Sequence, residues 1–162
     1  MAENRTNMVS MLDIGLLMGV SSNIVEMGDG FTDFSEDWAP NIETTQYVNM
    51  QNASANMKGY AFSMSPEREF LSDDMQECIN YMSKHFPTGK ECETFYYRFY
   101  KTDLEENVAE CIKVPVIVAF SSTGGAGGDT LKTTISIQGN GDSVLGKVTI
   151  DTDTGAFSWA EA

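Results

Sequence analysis

The stretch ETFYYRFYK, residues 93–101, decides the class of fold. Its side chains alternate at the two-residue period of a β-strand, with large groups on both faces. One face carries Phe95, Tyr97 and Phe99, and the other carries Tyr96, Arg98 and Tyr100. Because a solvent-facing side of a sheet is polar, this strand needs a cover on both faces. Either a helix supplies the second cover, or a neighbouring subunit does.

Four further runs have the composition of strands. They are KGYAFSMSPERE (58–69), CIKVPVIVAFSS (111–122), TLKTTISIQG (130–139) and GKVTIDTDTGAFSW (146–159). In the second run, Pro115 has no backbone donor and so predicts a sheet edge or a bulge. The last run predicts a β-hairpin in which Val148 and Ile150 face Phe157 and Trp159.

One helix is predicted, over about residues 72–86, within SDDMQECINYMSKHFP. Ser72 is the predicted N-cap, and Pro87 ends the helix. The apolar residues at helical spacing, which should face the core, are Met75, Cys78, Ile79, Met82 and Phe86.

The order of these elements indicates a mainly β protein. Residues 13–38 add one or two short predicted strands with turns, for a total of about six to eight strands. Because strands do not alternate with helices, a parallel α/β sheet is not expected. We expect a single domain over residues 1–162, a β-sandwich or barrel of short antiparallel strands with one packed helix.

Two segments lack the pattern of a strand or a helix. Residues 1–12 are polar and contain methionine, which predicts an N-terminal arm, mobile or clamped. Residues 38–57 are polar with few apolar anchors, which predicts a long inter-strand loop that ends near Met57 and Lys58. Such a loop in a small domain is either functional or disordered.

The composition is strongly acidic. The 162 residues hold 24 Asp and Glu against 10 Lys and Arg, a formal net charge of −14. Residues 1–57 contain eight of the acids and a single base, Arg5. Binding of free nucleic acid requires clustered Lys and Arg, so that function is not expected.

No metal site or cofactor is expected. Cys78, Cys92 and Cys111 are widely spaced, and His85 is the sole histidine, so a zinc site lacks a short-range pair of ligands. Three reduced thiols in a protein made in the cytosol are the simpler interpretation. The first twenty residues do not have the pattern of a signal peptide, and no run is long enough to cross a membrane.

No catalytic residues are predicted, and enzyme activity is not expected. The glycine-rich segment FSSTGGAGGDTLKT (120–133) has Asp129 where a phosphate loop has lysine, so it predicts a hairpin loop. The segment DTDTG (151–155) resembles a calcium loop, but Gly155 replaces a required oxygen ligand, so a turn is predicted. His85 falls at a helix end, and no pair of carboxylates stands out among 24 acids.

The order of features along the chain resembles the major tail tube proteins of long-tailed, siphovirus-like bacteriophages. The resemblance covers the chain from about residue 25 onward, and one predicted helix lies between its third and fourth segments. The segments are FTDFSEDWAP, NIETTQYVNMQNASANMKG, YAFSMSPERE, TFYYRFYK, VPVIVAFSST, TISIQGNGDSVLGKVTI and GAFSW.

The resemblance implies a virion tail protein that is made in the cytoplasm of a bacterial host. Its subunits would form hexameric rings stacked into a hollow tube, through which DNA passes without specific binding. Its other partners would be tail proteins: the tape measure, the tail terminator, and the baseplate or distal tail protein. A negative channel wall is physically reasonable, since a wall that attracted phosphate would hold the DNA back.

The resemblance also implies roles for individual residues. In this family the long connection between two early strands, at residues 38–57 in this chain, reaches the neighbouring subunit or ring. The candidates for this contact are Tyr47, Val48, Met50 and Met57, joined by Met8, Met11 and Leu12 of the N-terminal arm. The candidates for acids that face the channel are Asp33, Glu36, Asp37, Asp103, Glu105 and Glu106.

Two alternatives remain open from the sequence. One is a tube subunit of a contractile phage tail or of a phage-like particle, which differs by a separate sheath protein. The other is a small β-sandwich that binds a sugar or a peptide, with Tyr96, Tyr100 or Trp159 as contacts. An extended aromatic patch on a stable monomer would favour the binding module.

Overall fold

The computed structural model describes residues 2–161, except for the side chain of Asp33. Over that range the chain forms twelve strands and two α-helices. The helices are α1 (Ile14–Leu17) and α2 (Asp74–His85). The strands are β1 (Met8–Asp13), β2 (Ile24–Glu26), β3 (Phe31–Asp33), β4 (Pro40–Thr45), β5 (Ser54–Tyr60), β6 (Ser63–Met64), β7 (Glu67–Glu69), β8 (Glu93–Tyr100), β9 (Val108–Gly124), β10 (Lys132–Gly139), β11 (Val144–Ile150) and β12 (Phe157–Glu161).

Ten of the strands form one antiparallel sheet, which confirms the mainly β prediction. The main path runs β2-β1-β8-β9-β10-β7-β3, while β11 pairs with β9 and β12, and β6 pairs with β10. The other two strands, β4 and β5, pair with each other in a separate two-stranded sheet. The chain is therefore a curled sheet with one packed helix and a separate hairpin.

The long strand β9 organises the main sheet. Strand β8 pairs with its centre, from Cys111 to Ile117. On its other edge, β11 pairs with the first part of β9 and β10 with the last part. Pro115 faces the gap between them, where its carbonyl accepts the Asn140 N–H at 2.8 Å. Proline lacks a backbone N–H, and at this position neither β10 nor β11 pairs with β9. The missing donor therefore breaks no strand-to-strand hydrogen bond, so proline is tolerated within a central strand.

Both faces of β8 are covered by this same chain. Tyr96 packs with α2 residues such as Ile79 in one apolar cluster. Tyr97 and Phe99 lie in a second cluster, against Trp159 and other side chains of the β11–β12 hairpin. That hairpin has the predicted register, with Val148 opposite Trp159 and Ile150 opposite Phe157. The helix and the C-terminal hairpin therefore cover the two faces, without a second subunit.

Helix α2 confirms most of the predicted stripe and corrects two of its residues. Met75, Cys78, Ile79 and Met82 are buried, as their spacing predicts. The N-cap is Asp73 rather than Ser72, and its carboxylate accepts the Gln76 N–H at 2.9 Å. Phe86 is not part of the buried stripe, because it adopts the left-handed conformation at φ 48° and is 66% exposed.

The N-terminal segment differs from the expected arm. From Met8 onward it is strand β1, which pairs with both β2 and β8. Met11 and Leu12 are buried in the two cores, so neither is free to contact another ring. The apolar residues that follow form the short helix α1 rather than a strand, and the chain after the helix passes closely over Gly15. A Cβ at Gly15 would lie about 2.0 Å from the Ser21 carbonyl oxygen.

The strand predicted over residues 58–69 is three separate pieces. Strand β5 ends at Tyr60, and β6 and β7 pair with different parts of β10. The predicted boundary near Met57 and Lys58 is wrong, because β5 runs through it. Pro66 separates β6 from β7, and its carbonyl accepts the Ile135 N–H at 3.2 Å.

A buried arginine joins α2 to the sheet. Arg68 of β7 is 1% exposed, and its guanidinium donates two hydrogen bonds to the Asp73 carboxylate, at 3.0 and 2.7 Å. It also donates to the Asp29 carbonyl at 3.1 Å. Burial alone would raise the pKa of the Asp73 carboxyl. The hydrogen bonds from Arg68 and from the Gln76 N–H outweigh burial and lower that pKa below its ordinary value.

We expect Asp73→Asn to lower the free energy of unfolding by about 1.5–3 kcal/mol at neutral pH, since a buried guanidinium loses its charged partner. Asparagine still caps the helix, so the loss reports the ion pair rather than the cap. Because the folded-state pKa is lowered, the stabilisation exists above pH 3.8 and disappears as the pH falls through the folded-state pKa. Denaturant unfolding at pH 7 and pH 3 measures the difference between the two proteins, which should shrink on acidification.

The matched control is Asp74→Asn, which removes an exposed acid from the same helical turn. We expect it to lower the free energy of unfolding by about 0.3–1 kcal/mol, the value of a helix-dipole interaction. Equal losses for the two variants would contradict the proposed role of the ion pair.

Candidate assembly surface

The β4–β5 hairpin stands apart from the rest of the described chain. Pro40 pairs with Tyr60 at its base and Thr45 with Ser54 near its tip, with a bulge after Asn41. All residues of both strands are exposed, except the half-buried Gly59. The structureless loop expected over residues 38–57 is therefore largely a β-hairpin. Its strands are polar and lack the strict apolar alternation that would reveal them.

The hairpin exposes several large apolar side chains. Tyr47 is 66% exposed, Met57 46% and Val48 fully exposed. Ile42 and its cross-strand partner Met57 lie together on the strands. An isolated two-stranded hairpin is marginally stable in water, and apolar side chains exposed together are typical of contact surfaces.

The tip of the hairpin is held in one shape by its own hydrogen bonds. The Gln46 side-chain amide donates to the carbonyls of Met50 and Gln51, at 3.1 and 3.2 Å. The Met50 N–H donates to the Tyr47 carbonyl at 3.0 Å. Met50 is half-buried within the turn, so Tyr47 and Val48 are the side chains that project.

Trp38 anchors the base of the hairpin to the core. Its ring centroid lies 4.7 Å from that of Phe62 and 6.5 Å from that of Tyr60. Its carbonyl accepts the Ala61 N–H at 3.1 Å. Between Trp38 and β4, Ala39 has φ 24°, an uncommon value for a residue with a side chain. The chain therefore bends sharply where the hairpin leaves the body.

A buried carboxylate fixes this base against β8. The Glu36 side chain is 5% exposed, and it accepts the Tyr96 hydroxyl at 2.7 Å and the Trp38 indole N–H at 2.9 Å. The Arg98 guanidinium lies 3.4 Å from the carboxylate. Burial and then the charge of Glu36 raise the pKa of Tyr96, so this phenol stays protonated and donates. The Glu36 side chain is therefore buried, whereas the sequence predicted an exposed acid.

The other candidate acids fall into two separate places. Asp37 is exposed at the hairpin base, where its carboxylate accepts the Ala39 N–H at 3.0 Å. Asp103, Glu105 and Glu106 are exposed around a depression at the connection between β8 and β9. The side chain of Asp33 lies outside the described part of the chain.

Met8, the remaining arm residue, lines a groove of about 330 Å³ beside β1. We call this depression the Met8 groove, and the sequence gives no signal for it. Its apolar lining comes from Met8, Met27, Phe31 and Phe34, and two cations, Arg5 and Lys101, lie at its edge.

The aromatic residues proposed for a binding module do not form one surface. Tyr96 is buried in the cluster under α2. Trp159 packs in the other cluster, where its indole donates to the Cys111 carbonyl at 3.2 Å. Only Tyr100 is exposed, at 38%. The described residues therefore contain no continuous patch built from these three side chains.

Metal-ligand clusters and membrane-spanning helices are absent from the described residues. In that part of the chain no three His, Cys, Asp or Glu side chains are grouped to hold a metal ion. None of the helices described has the length and apolar character needed to cross a bilayer.

No protein-family model matches the sequence, and no curated protein matches it. The fold does match solved structures. A chain of the tail of an empty gene transfer agent particle, refined with C6 symmetry, superposes with a TM-score of 0.64 at 11% identity, covering 89% of this chain and 98% of that one. A chain of the native gene transfer agent virion superposes with a TM-score of 0.61 at 10% identity, covering 89% of this chain and 98% of that one. At such identities the shared property is the fold.

We expect Glu36→Gln to loosen the hairpin base, because the Arg98 guanidinium loses its carboxylate and the Tyr96 hydroxyl loses a charged acceptor. The free energy of unfolding should fall by about 1.5–3 kcal/mol. Amide hydrogen exchange should accelerate at Ala61 and Ser63, which bond to the chain at Trp38 and Asp37. Exchange in the centre of β9 should change least.

The control is Glu43→Gln, which removes an exposed ion pair to Lys58 at 3.1 Å on the hairpin itself. Exposed pairs contribute about 0–1 kcal/mol, so this variant should be close to the unmodified protein. If Glu36→Gln and Glu43→Gln behave alike, the buried carboxylate does not hold the hairpin base.

Proposed function

We propose that this protein is a structural subunit of a phage-like tail, with no enzymatic role. Its copies form hexameric rings that stack into a tube around a channel for DNA. The observation that carries the proposal is the β4–β5 hairpin, which projects exposed apolar residues from an otherwise complete fold. The shared fold with a chain of a C6-symmetric particle tail supports it.

The hairpin suits contact between subunits better than ligand binding. Both faces of β8 are already covered within the chain, so the body does not need a partner to complete its core. The hairpin has no such cover. We infer that Tyr47, Val48 and Met57 contact an adjacent subunit or ring, and that Met50 acts indirectly by holding the turn.

The charge is compatible with a channel that releases DNA. A ring of six copies multiplies the formal charge of −14 sixfold, so a wall that carries part of it repels phosphate. Asp103, Glu105 and Glu106 remain the candidates for this wall, since they are exposed and clustered. Glu36 is not among them, because it is buried.

The proposal extends to location and partners. The subunit resides in the tail of a virion or phage-like particle, after synthesis in the cytoplasm of a bacterial host. Its other partners are tail proteins: the tape measure, the tail terminator, and the baseplate or distal tail protein. A tube of a contractile system is an alternative with the same subunit contacts, and a separate sheath protein distinguishes the two.

We expect replacement of Tyr47 and Val48 by serine to leave the fold intact and to abolish tube formation. Both side chains project from the tip, so their loss removes the apolar contact without opening the core. Deletion of residues 44–55 should have the same effect. Circular dichroism and thermal unfolding report the fold, while negative-stain electron microscopy and sedimentation report assembly.

The matched control replaces Val20 and Leu145 by serine, since these apolar side chains are 59% and 53% exposed away from the hairpin. That variant should assemble normally. Tubes formed by the hairpin variant would exclude the hairpin as the contact. A protein that stays monomeric at high concentration, even with tail-initiation proteins added, would overturn the proposed function.

A second prediction concerns the channel. Tubes of the unmodified protein should not retard duplex DNA, whereas tubes with Asp103, Glu105 and Glu106 replaced by lysine should bind it. That binding should weaken as salt rises, because phosphate contacts release counterions. Co-sedimentation of a DNA fragment with each kind of tube, at low and at high salt, measures the binding and its salt dependence. Assembly without any gain in DNA binding would place these acids away from the channel.

A further inference from the structure

The Met8 groove is the described depression whose chemistry best matches the hairpin tip. It lies beside β1, and its lining comes from residues 5–10, residues 26–34 and Lys101. Met27 is buried at its floor, and Met8, Phe31 and Phe34 are half-buried in its walls. These exposed apolar surfaces have the chemistry of a binding site for an uncharged side chain.

The edge of the groove is positively charged in a strongly acidic protein. Arg5 and Lys101 both line it, and Glu26 is the acid among the lining residues whose side chains the structure describes. The Arg5 guanidinium lies over the Phe34 ring, 5.1 Å from its centroid. An arginine held over an aromatic ring can also approach a second ring, since cation–π contacts form over either tyrosine or phenylalanine.

The hairpin has no net charge. Between Pro40 and Tyr60 the ionisable groups of opposite sign are Glu43 and Lys58, and they pair at 3.1 Å. Two copies that each carry −14 repel one another over most of their surfaces. An uncharged tip that approaches a cationic edge avoids this repulsion.

We propose that the hairpin tip of one copy, Tyr47 and Val48, seats in the Met8 groove of a second copy. Val48 and the Tyr47 ring contact Met8, Phe31 and Phe34, and Arg5 lies against the Tyr47 ring. This inference rests on the proposed function and names the surface that the hairpin contacts.

The occupant must be another copy rather than the same chain. Trp38, at the hairpin base, borders a depression that also includes Met8 and Phe34 of the groove. Strand β4 then carries the tip away by about 20 Å over its six residues. A tip and a groove at different places on one molecule make a head-to-tail contact, which continues from copy to copy.

A single seated tip buries little surface, so one contact between two monomers is weak. When six tips on a ring engage six grooves together, the second and later contacts are effectively intramolecular, and the combined affinity rises steeply. The tip–groove contact therefore predicts monomers in dilute solution and cooperative growth at higher concentration.

The test is disulfide cross-linking between two singly substituted proteins, Val48→Cys and Thr32→Cys, mixed under assembly conditions and oxidised. Thr32 is exposed and lines the groove. The natural cysteines do not interfere, because Cys78, Cys92 and Cys111 are buried. Burial also raises the pKa of Cys78 and of Cys111 to about 12, which keeps these thiols protonated.

Mass spectrometry should identify a peptide pair that links position 48 to position 32. The control mixes Val48→Cys with Thr154→Cys, which places an exposed thiol on the β11–β12 turn, away from the groove. That mixture should give at least tenfold less of the mixed disulfide. As an independent measurement, Arg5→Glu should raise the critical concentration for assembly, and the double variant Arg5→Glu with Tyr47→Lys should restore part of the loss.

The outcomes separate this inference from the proposed function. Tubes that form without the 48–32 disulfide overturn the groove as the contact and leave the tail-tube proposal standing. Cross-linked dimers that do not grow into rings or tubes support the groove and overturn the tube. The absence of any self-association overturns both.

Discussion

The requirement that β8 be covered on both faces governs the whole structure. Its alternating aromatic side chains belong to two separate apolar clusters, so the chain must supply a layer on each side. Helix α2 provides one layer, and the β11–β12 hairpin provides the other. The long strand β9 makes this possible, because it pairs with β8 along one edge and with β10 and β11 in succession along the other. Once these layers are in place, the β4–β5 hairpin is the element left without a core.

The sequence predicted the elements that have strong periodicity. The C-terminal hairpin, the strand at Ile135 and Ile137, and the buried stripe of α2 follow from patterns of two or of 3.6 residues. The sequence did not predict the strands whose side chains are buried among polar partners or are not buried at all. Strand β1 reads as a polar arm because Ser10 and Asp13 are buried with hydrogen-bond partners rather than with apolar neighbours. Strands β4 and β5 have no core face at all, so no alternation marks them.

The candidate assembly surface likewise contains some residues that the sequence predicts and others that only the fold reveals. Exposed apolar residues at the tip could be chosen from sequence, because an unanchored Tyr47 and Val48 are unusual in a polar segment. The role of Glu36 could not be predicted from the sequence, since an acid in an acidic stretch is normally a solvated surface charge. Its partners Tyr96 and Arg98 are about sixty residues away, and only the fold brings them together. The Met8 groove likewise combines three distant segments, so it has no local signature.

In the proposed assembly, the hydrogen bonds of Gln46 would affect the timing of subunit addition. A disordered loop would lose conformational entropy when it docks, and that loss would slow or weaken each subunit addition. In this chain the Gln46 hydrogen bonds hold the turn within a single subunit, so part of the entropic penalty is incurred before any encounter. A subunit would then be competent to polymerise as soon as it is folded. Control over when and where growth begins would therefore rest with concentration and with a nucleating surface, not with a refolding step in the subunit.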